Sequence, residues 1–223
     1  MKKQVRSLLI MVTAVALLFC INARAARADQ EVEQIFEKIG NLNEGLKDYQ
    51  ADINIALRAK VAFIPYNPDM SGKYYHKAPD KHKLVLEKAP SYVKKYPNIF
   101  GWHLPKIEKF NSRVKDVTEL NGREVWHILL LPKQGMGDII SEEMWVDCEN
   151  YTVPRQITNY KNDGMICVNV NYAKKDGYWV FDTMTAQFSF PKVAVNATAS
   201  ARYSNYRFNQ NLPDSFFAQE EKK

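Results

Sequence analysis

Four histidines, His76, His82, His103 and His127, are the chain's only imidazoles, so nitrogen-ligated metal chemistry or histidine acid–base catalysis would have to be built from them. None falls in a recognised metal spacing. His76 and His82 are separated by a turn with no Cys or Glu at ligand distance, which predicts ordinary surface or core roles. Glu142 and Glu143 are adjacent on an expected strand, where neighbours point to opposite faces, so they cannot act as a carboxylate pair. Asp163 sits in a turn. No Gly-x-Ser-x-Gly elbow and no glycine-rich phosphate loop is present. The expectation is a protein without catalytic residues, metal or cofactor.

The N-terminus sets the compartment expected for the remaining chemistry. Lys2, Lys3 and Arg6 precede an apolar run from Leu8 to Phe19, followed by the small-x-small sites Ala23-Arg24-Ala25 and Ala26-Arg27-Ala28. This pattern predicts a secretory signal peptide over residues 1–28, with an apolar run too short to span about 30 Å of hydrocarbon. Phe19 before Cys20 is not the small residue of a bacterial lipobox, so Cys20 is not expected to be acylated. Residues 1–28 hold five basic and no acidic side chains; the chain beyond them carries 26 basic against 25 acidic residues. The apparent basicity therefore belongs to the leader, and nothing in the charge argues for nucleic-acid binding. Residues 29–223 suffice for one domain with a sizeable core, expected to be periplasmic and monomeric.

Export leaves two cysteines, Cys148 and Cys167. An exported pair invites a disulfide, yet strands separated by one neighbour lie roughly 9 to 10 Å apart, beyond disulfide reach unless a turn folds back. A bridge and two free thiols both remain open.

Periodicity supplies the scaffold. Val32, Ile35, Phe36, Ile39, Leu42 and Leu46 recur at three- and four-residue spacing, predicting an amphipathic helix over 29–47 capped by Asp29. The period then becomes two: Tyr49, Ala51, Ile53, Ile55, Leu57, Ala59, Val61 and Phe63 form one apolar face of a strand. Fifteen residues at about 3.3 Å each would run roughly 50 Å, so this strand must bend within a strongly curved sheet. Turn signals at Asn67-Pro68, Ala78-Pro79-Asp80, Asn121-Gly122, Cys148–Asn150, Asn162-Asp163-Gly164 and Lys175-Asp176-Gly177 delimit further strands. They span about 69–77, 81–87, 112–120, 123–131, 139–147, 153–160, 165–173, 178–190 and 197–209. The fold class is mainly β, α+β: a strongly curved antiparallel sheet of about ten to eleven strands forming a half-open barrel.

Residues 91–110 interrupt the strand pattern. Pro97 and Pro105 forbid a long regular element, while Tyr96, Phe100 and Trp102 are too apolar for a free loop. Short helical pieces covering the sheet are expected, acting as a fixed cover or as a mobile gate. Sorting the strands by alternation gives a candidate apolar lining: Ile53, Ile55, Leu57, Tyr74, Leu84, Leu86, Met144, Val146, Ile157, Val168, Val170, Val180, Met184 and Phe188. These residues fill a β core or border an apolar cavity; Met144 and Met184 would suit an adaptable cavity.

Two segments carry a resemblance. Ser71–Pro90 places Gly72, Tyr74, Tyr75, Lys77, Pro79, Lys83 and Leu84 in a Gly-aromatic strand, a Lys-x-Pro turn and a second basic and apolar strand. Tyr203–Phe217 contains Asn209, Leu212, Pro213, Asp214 and Phe217 in an Asn-x-x-apolar-Pro-Asp-x-x-Phe ending. Together with the helix-then-long-strand opening, the chain resembles outer-membrane lipoprotein-sorting proteins of the LolA-like carrier superfamily. The resemblance implies a half-barrel that shields lipoprotein or lipid acyl chains, exchanging them with membrane-associated donor or acceptor proteins. The alternative it leaves is a second function class, a non-enzymatic periplasmic regulator or adaptor of the envelope-stress type on the same fold.

Overall fold

A computed structural model describes residues 31–61, 64–89, 104–133 and 137–218. The expected leader therefore lies outside the described residues. So do Tyr96, Phe100 and Trp102 of the expected cover; from that insertion the structure describes a 3-10 turn at Ile107–Lys109 leading into the next strand.

Helix α1 spans residues 31–40. It is shorter than the periodicity predicts, because residues 41–45 turn, with Gly45 at φ +82 in the left-handed region that favours glycine. Leu46 nevertheless remains buried. It continues the apolar spacing in a turn that folds back onto the same core.

The strands are β1 (Asp48–Val61), β2 (Ile64–Tyr66), β3 (Asp69–Lys77), β4 (Lys81–Lys88), β5 (Phe110–Leu120), β6 (Arg123–Pro132), β7 (Ile139–Asp147), β8 (Arg155–Tyr160), β9 (Gly164–Lys175), β10 (Tyr178–Phe190) and β11 (Val195–Phe208). They form one 11-stranded sheet in the order β4-β3-β1-β11-β10-β9-β8-β7-β6-β5, with β2 beside β1. The path ends at β4 and β5, so the sheet curves without closing. β1 pairs with β3 through Asp48–Ala56 and with β11 as far as Val61, which lets one long strand serve both halves.

Irregular register supplies the curvature. Pairing shifts between Gln50 and Asp52 against β11, between Phe181 and Thr183 against β9, and between Val114 and Asp116 against β6. Each extra residue kinks its strand and increases its twist. A further shift between Ser71 and Gly72 brings β4 so close that a Cβ on Gly72 would lie 2.1 Å from the Val85 carbonyl oxygen. Only glycine fits there.

Two apolar clusters occupy the inner face. The first joins Ala51, Ile53 and Ile55 of β1 to Met70, Tyr74, Leu84, Leu86, Val170, Met184 and Tyr203. The second packs Val32, Ile35 and Phe36 of α1 on Phe110, Ile128, Leu130, Met144, Val146 and Val153. Helix α1 thus covers the β6–β7 side of the sheet.

A C-terminal clasp stabilises the β1 end. The buried Asp48 carboxylate accepts hydrogen bonds from the backbone N–H groups of Gln210 (2.7 Å) and Leu212 (3.0 Å), while Asn209 Oδ1 accepts from Lys47 N–H (2.8 Å). The short helix α2 (Asp214–Phe217) then lies against β3 and β4. Lys77 and Lys81 reach Asp214 at 2.6 and 2.8 Å, Lys83 donates to the Phe216 carbonyl, and Phe216 meets Tyr75 edge-on at 4.7 Å. Those lysine hydrogen bonds hold the Asp214 carboxyl down at about 2. Much of the C-terminal sequence signature is therefore architectural.

Candidate binding cleft

Between the two clusters, at the end of the sheet where α1 stops, lies a cleft of about 170 Å³. One wall is Ile39, Leu42 and Leu46 from α1 and its following turn; the other is Tyr49, Tyr74, Val180 and Phe181 from the sheet. Tyr151 and Val153 contribute from the loop after β7, and Leu104 from the approach to β5. At the β3–β4 turn the rim carries the polar side chains of His76, Asp80 and His82 beside Ala78 and Pro79.

Local sequence explains the rim. Residues 78–80 turn between β3 and β4, so Lys77 pairs with Lys81 and His76 with His82. Strand alternation then places the lysines outward, at the clasp, and both imidazoles inward. His76 lies 5.1 Å from the Tyr49 ring, centroid to centroid. Burial, with a smaller contribution from His82, pushes its pKa down to about 4, so it is neutral at pH 7.

The opposite wall is held by Asn43. Its Nδ2 donates to the Trp179 carbonyl at 2.8 Å and its Oδ1 accepts from Trp179 N–H at 2.7 Å. This reciprocal pair fixes the turn after α1 to β10 and occupies the amide. The floor is aromatic: Tyr74 lies 5.6 Å from Tyr203 and 6.0 Å from Phe181, and Tyr172 lies 5.5 Å from Phe181. Burial pushes the Tyr49, Tyr74 and Tyr172 phenols up, so they stay uncharged.

The predicted lining residues distribute unevenly. Ile53, Ile55, Tyr74, Leu84, Leu86, Val170, Val180 and Met184 are buried together in the first cluster, and the half-buried Leu57, Val168 and Phe188 pack against it. Met144 and Val146 are buried beneath α1 in the second cluster. Of these, Tyr74 and Val180 line the cleft. Ile157 requires a correction. It pairs with Glu143 and Cys167, whereas its neighbour Gln156 pairs with the buried Met144, so Ile157 belongs to the outer face. The expected strand 153–160 begins at Arg155, so the buried Val153 lies ahead of β8 and outside its alternation.

Glu142 and Glu143 do point to opposite faces. Glu142 is buried on the inner face and accepts a hydrogen bond from Gln156 Nε2 at 2.9 Å; burial raises its pKa to about 7. Glu143 faces outward, 2.8 Å from His127 Nε2 and 3.1 Å from Lys115 Nζ. His127 also stacks on Trp145 at 4.3 Å, and Arg155 lies over the same indole at 5.0 Å. His103 lies outside the described residues. Among the described residues no three His, Cys, Asp or Glu side chains gather as metal ligands. Cys148, just beyond β7, and Cys167, on β9, are free thiols with β8 between them, which answers the question left open by their spacing.

The pairing of His76 with His82, and the places of Asn43, Trp179 and Phe181 in the cleft, are not among the sequence expectations. The histidine pair had a readable signal, equal spacing about a three-residue turn. The Asn43–Trp179 contact spans 136 residues and had none.

No protein-family model matches the sequence, and no curated protein matches it. Solved structures match its fold. A DUF1329 family protein from Desulfovibrio piger superposes with a TM-score of 0.65 at 12% identity, covering 86% of this chain and 98% of the other. An outer membrane lipoprotein-sorting protein domain from Vibrio parahaemolyticus gives 0.64 at 16% identity, covering 86% and 97%. A LolA superfamily protein from Nitrosomonas europaea gives 0.57 at 10% identity, covering 84% and 97%. The open half-barrel is therefore LolA-like in fold. Among the described residues no helix is long and apolar enough to cross a membrane.

Proposed function

We propose that this protein is a non-enzymatic periplasmic binder or carrier of acyl chains, shielding lipid or lipoprotein anchors from water. The observation that supports this reading most directly is the divided core. An ordinary domain fills its interior with one contiguous cluster, whereas here two clusters flank an apolar cleft at one end of an open sheet. Each methylene withdrawn from water contributes about 0.8 kcal/mol, so even a few carbons inserted in that seam give useful affinity. The cleft of about 170 Å³ takes the first segment of a chain, and the half-buried inner-face residues Leu57, Val168 and Phe188 offer apolar surface for more. The shared fold of a lipoprotein-sorting domain and a LolA superfamily protein supports the same reading.

Mass spectrometry of an organic extract from the natively purified protein should detect acyl species. N-phenyl-1-naphthylamine should bind saturably and be displaced by glycerol monopalmitate. Leu42→Glu, which places a charge on the half-buried wall of the cleft where it must be desolvated beside the chain, should weaken binding at least tenfold while the circular dichroism spectrum stays unchanged. An extract free of acyl species together with no displacement would instead favour a protein-binding adaptor on the same fold.

A further inference from the structure

The charges around the cleft are asymmetric. Lys77, Lys81 and Lys83 of the β3–β4 hairpin all belong to the outward set, where α2 engages them through Asp214 and Phe216. The inner side of the same turn carries His76 and His82, with Asp80 at its apex. Among the described residues lining the cleft none is Lys or Arg, and Asp80 is the formal charge. The remaining wall is aliphatic and aromatic, and the Asn43 amide is satisfied by Trp179.

We propose that His76, His82 and Asp80 form a head-group subsite that accepts an uncharged ester- or amide-linked acyl group and rejects a free fatty-acid carboxylate. The inference rests on the acyl-binding reading above and specifies the ligand class within it. An ester or amide carbonyl held at the rim leaves no charge to desolvate and needs one hydrogen-bond donor, which the ring N–H of a neutral imidazole such as His76 can provide. A carboxylate at the same place would lose hydration, meet no Lys or Arg among the described lining residues and share the rim with the Asp80 carboxylate, a like charge that repels it. Because the same hairpin presents its lysines to the clasp, the cationic groups that would welcome a fatty acid are turned away from the cleft. The neutral state of His76, kept by burial, is consistent with this polarity.

The test is displacement of N-phenyl-1-naphthylamine by glycerol monopalmitate and by palmitate at pH 7.5, both below their aggregation concentrations. The monoester should displace at concentrations at least tenfold lower than palmitate. Asp80→Lys, a change at an exposed turn position that leaves the apolar wall intact, should bring the two lipids within threefold of each other or invert their order. His82→Leu should weaken monoester displacement while the naphthylamine itself still binds. Equal or tighter binding of palmitate to the parent protein, or an Asp80→Lys variant that keeps the parent's preference, overturns the subsite while leaving acyl binding standing. Failure of both lipids to displace the probe overturns acyl binding and the subsite together.

Discussion

Acidification from pH 7.5 to 4 separates two inner-face groups whose contributions to stability oppose each other. His76 is held at about 4 in the fold, below the ordinary 6.5. Its neutral form is the one the fold tolerates, so its contribution is complete above pH 6.5 and is lost as pH falls towards 4, where the unfolded chain takes up a proton first. Glu142 behaves in the opposite sense: its pKa is raised from 4.5 to about 7, so the fold penalises its ionised form. That penalty is complete above pH 7 and disappears as pH falls towards 4.5, so stability rises over this interval. Each shift is roughly 2.5 units, and at 1.36 kcal/mol per unit each group is worth about 3 kcal/mol across almost the same window. The parent protein should therefore show little net slope from this pair. Urea unfolding followed by tryptophan fluorescence at pH 7.5, 6, 5 and 4 resolves the two terms. Glu142→Gln, which retains a partner for Gln156, should be more stable than the parent at pH 7.5 and lose about 3 kcal/mol relative to it by pH 4. His76→Phe should gain about 3 kcal/mol relative to the parent over the same range. Parallel profiles for the parent and both variants would refute the claim that these two side chains are buried as the structure places them.

Two other consequences are testable. Asp48→Ala removes the acceptor for the Gln210 and Leu212 N–H groups at the clasp and should cost about 2–4 kcal/mol in thermal or chemical unfolding; a change under 0.5 kcal/mol would show that the clasp is not part of the folded core. Cys148 and Cys167 should titrate as two thiols in the unfolded protein without reductant, with the buried Cys167 unreactive in the folded state; an intact mass lowered by two hydrogens would contradict the free-thiol arrangement.

The sequence alone determined the local features: an amphipathic helix ahead of a long alternating strand, and strand limits marked by Pro, Asn-Gly and Asp-Gly turns. Asp69–Lys77, Ile139–Asp147 and Tyr178–Phe190 fall where those signals place them, because turn chemistry and period-two burial act within a few residues. The mainly β, LolA-like class was legible for the same reason, together with the Gly72 and Asn209–Asp214 signatures. Tertiary structure decided everything that depends on register between distant strands. Ile157 faces outward because the register of β8 sets its neighbour Gln156, not Ile157, opposite the buried Met144. Tyr172, Trp179 and Phe181 line one cleft with Asn43 and His76 because the sheet's pairing brings distant segments to one end, where Asn43 bonds Trp179 across 136 residues. Helix α1 leaves a cleft because its last apolar residues lie in a turn pinned by Asn43. Periodicity reports which side of an element is apolar; it carries no information about whether two apolar surfaces meet or stop short of each other, and in this protein that gap is the candidate site.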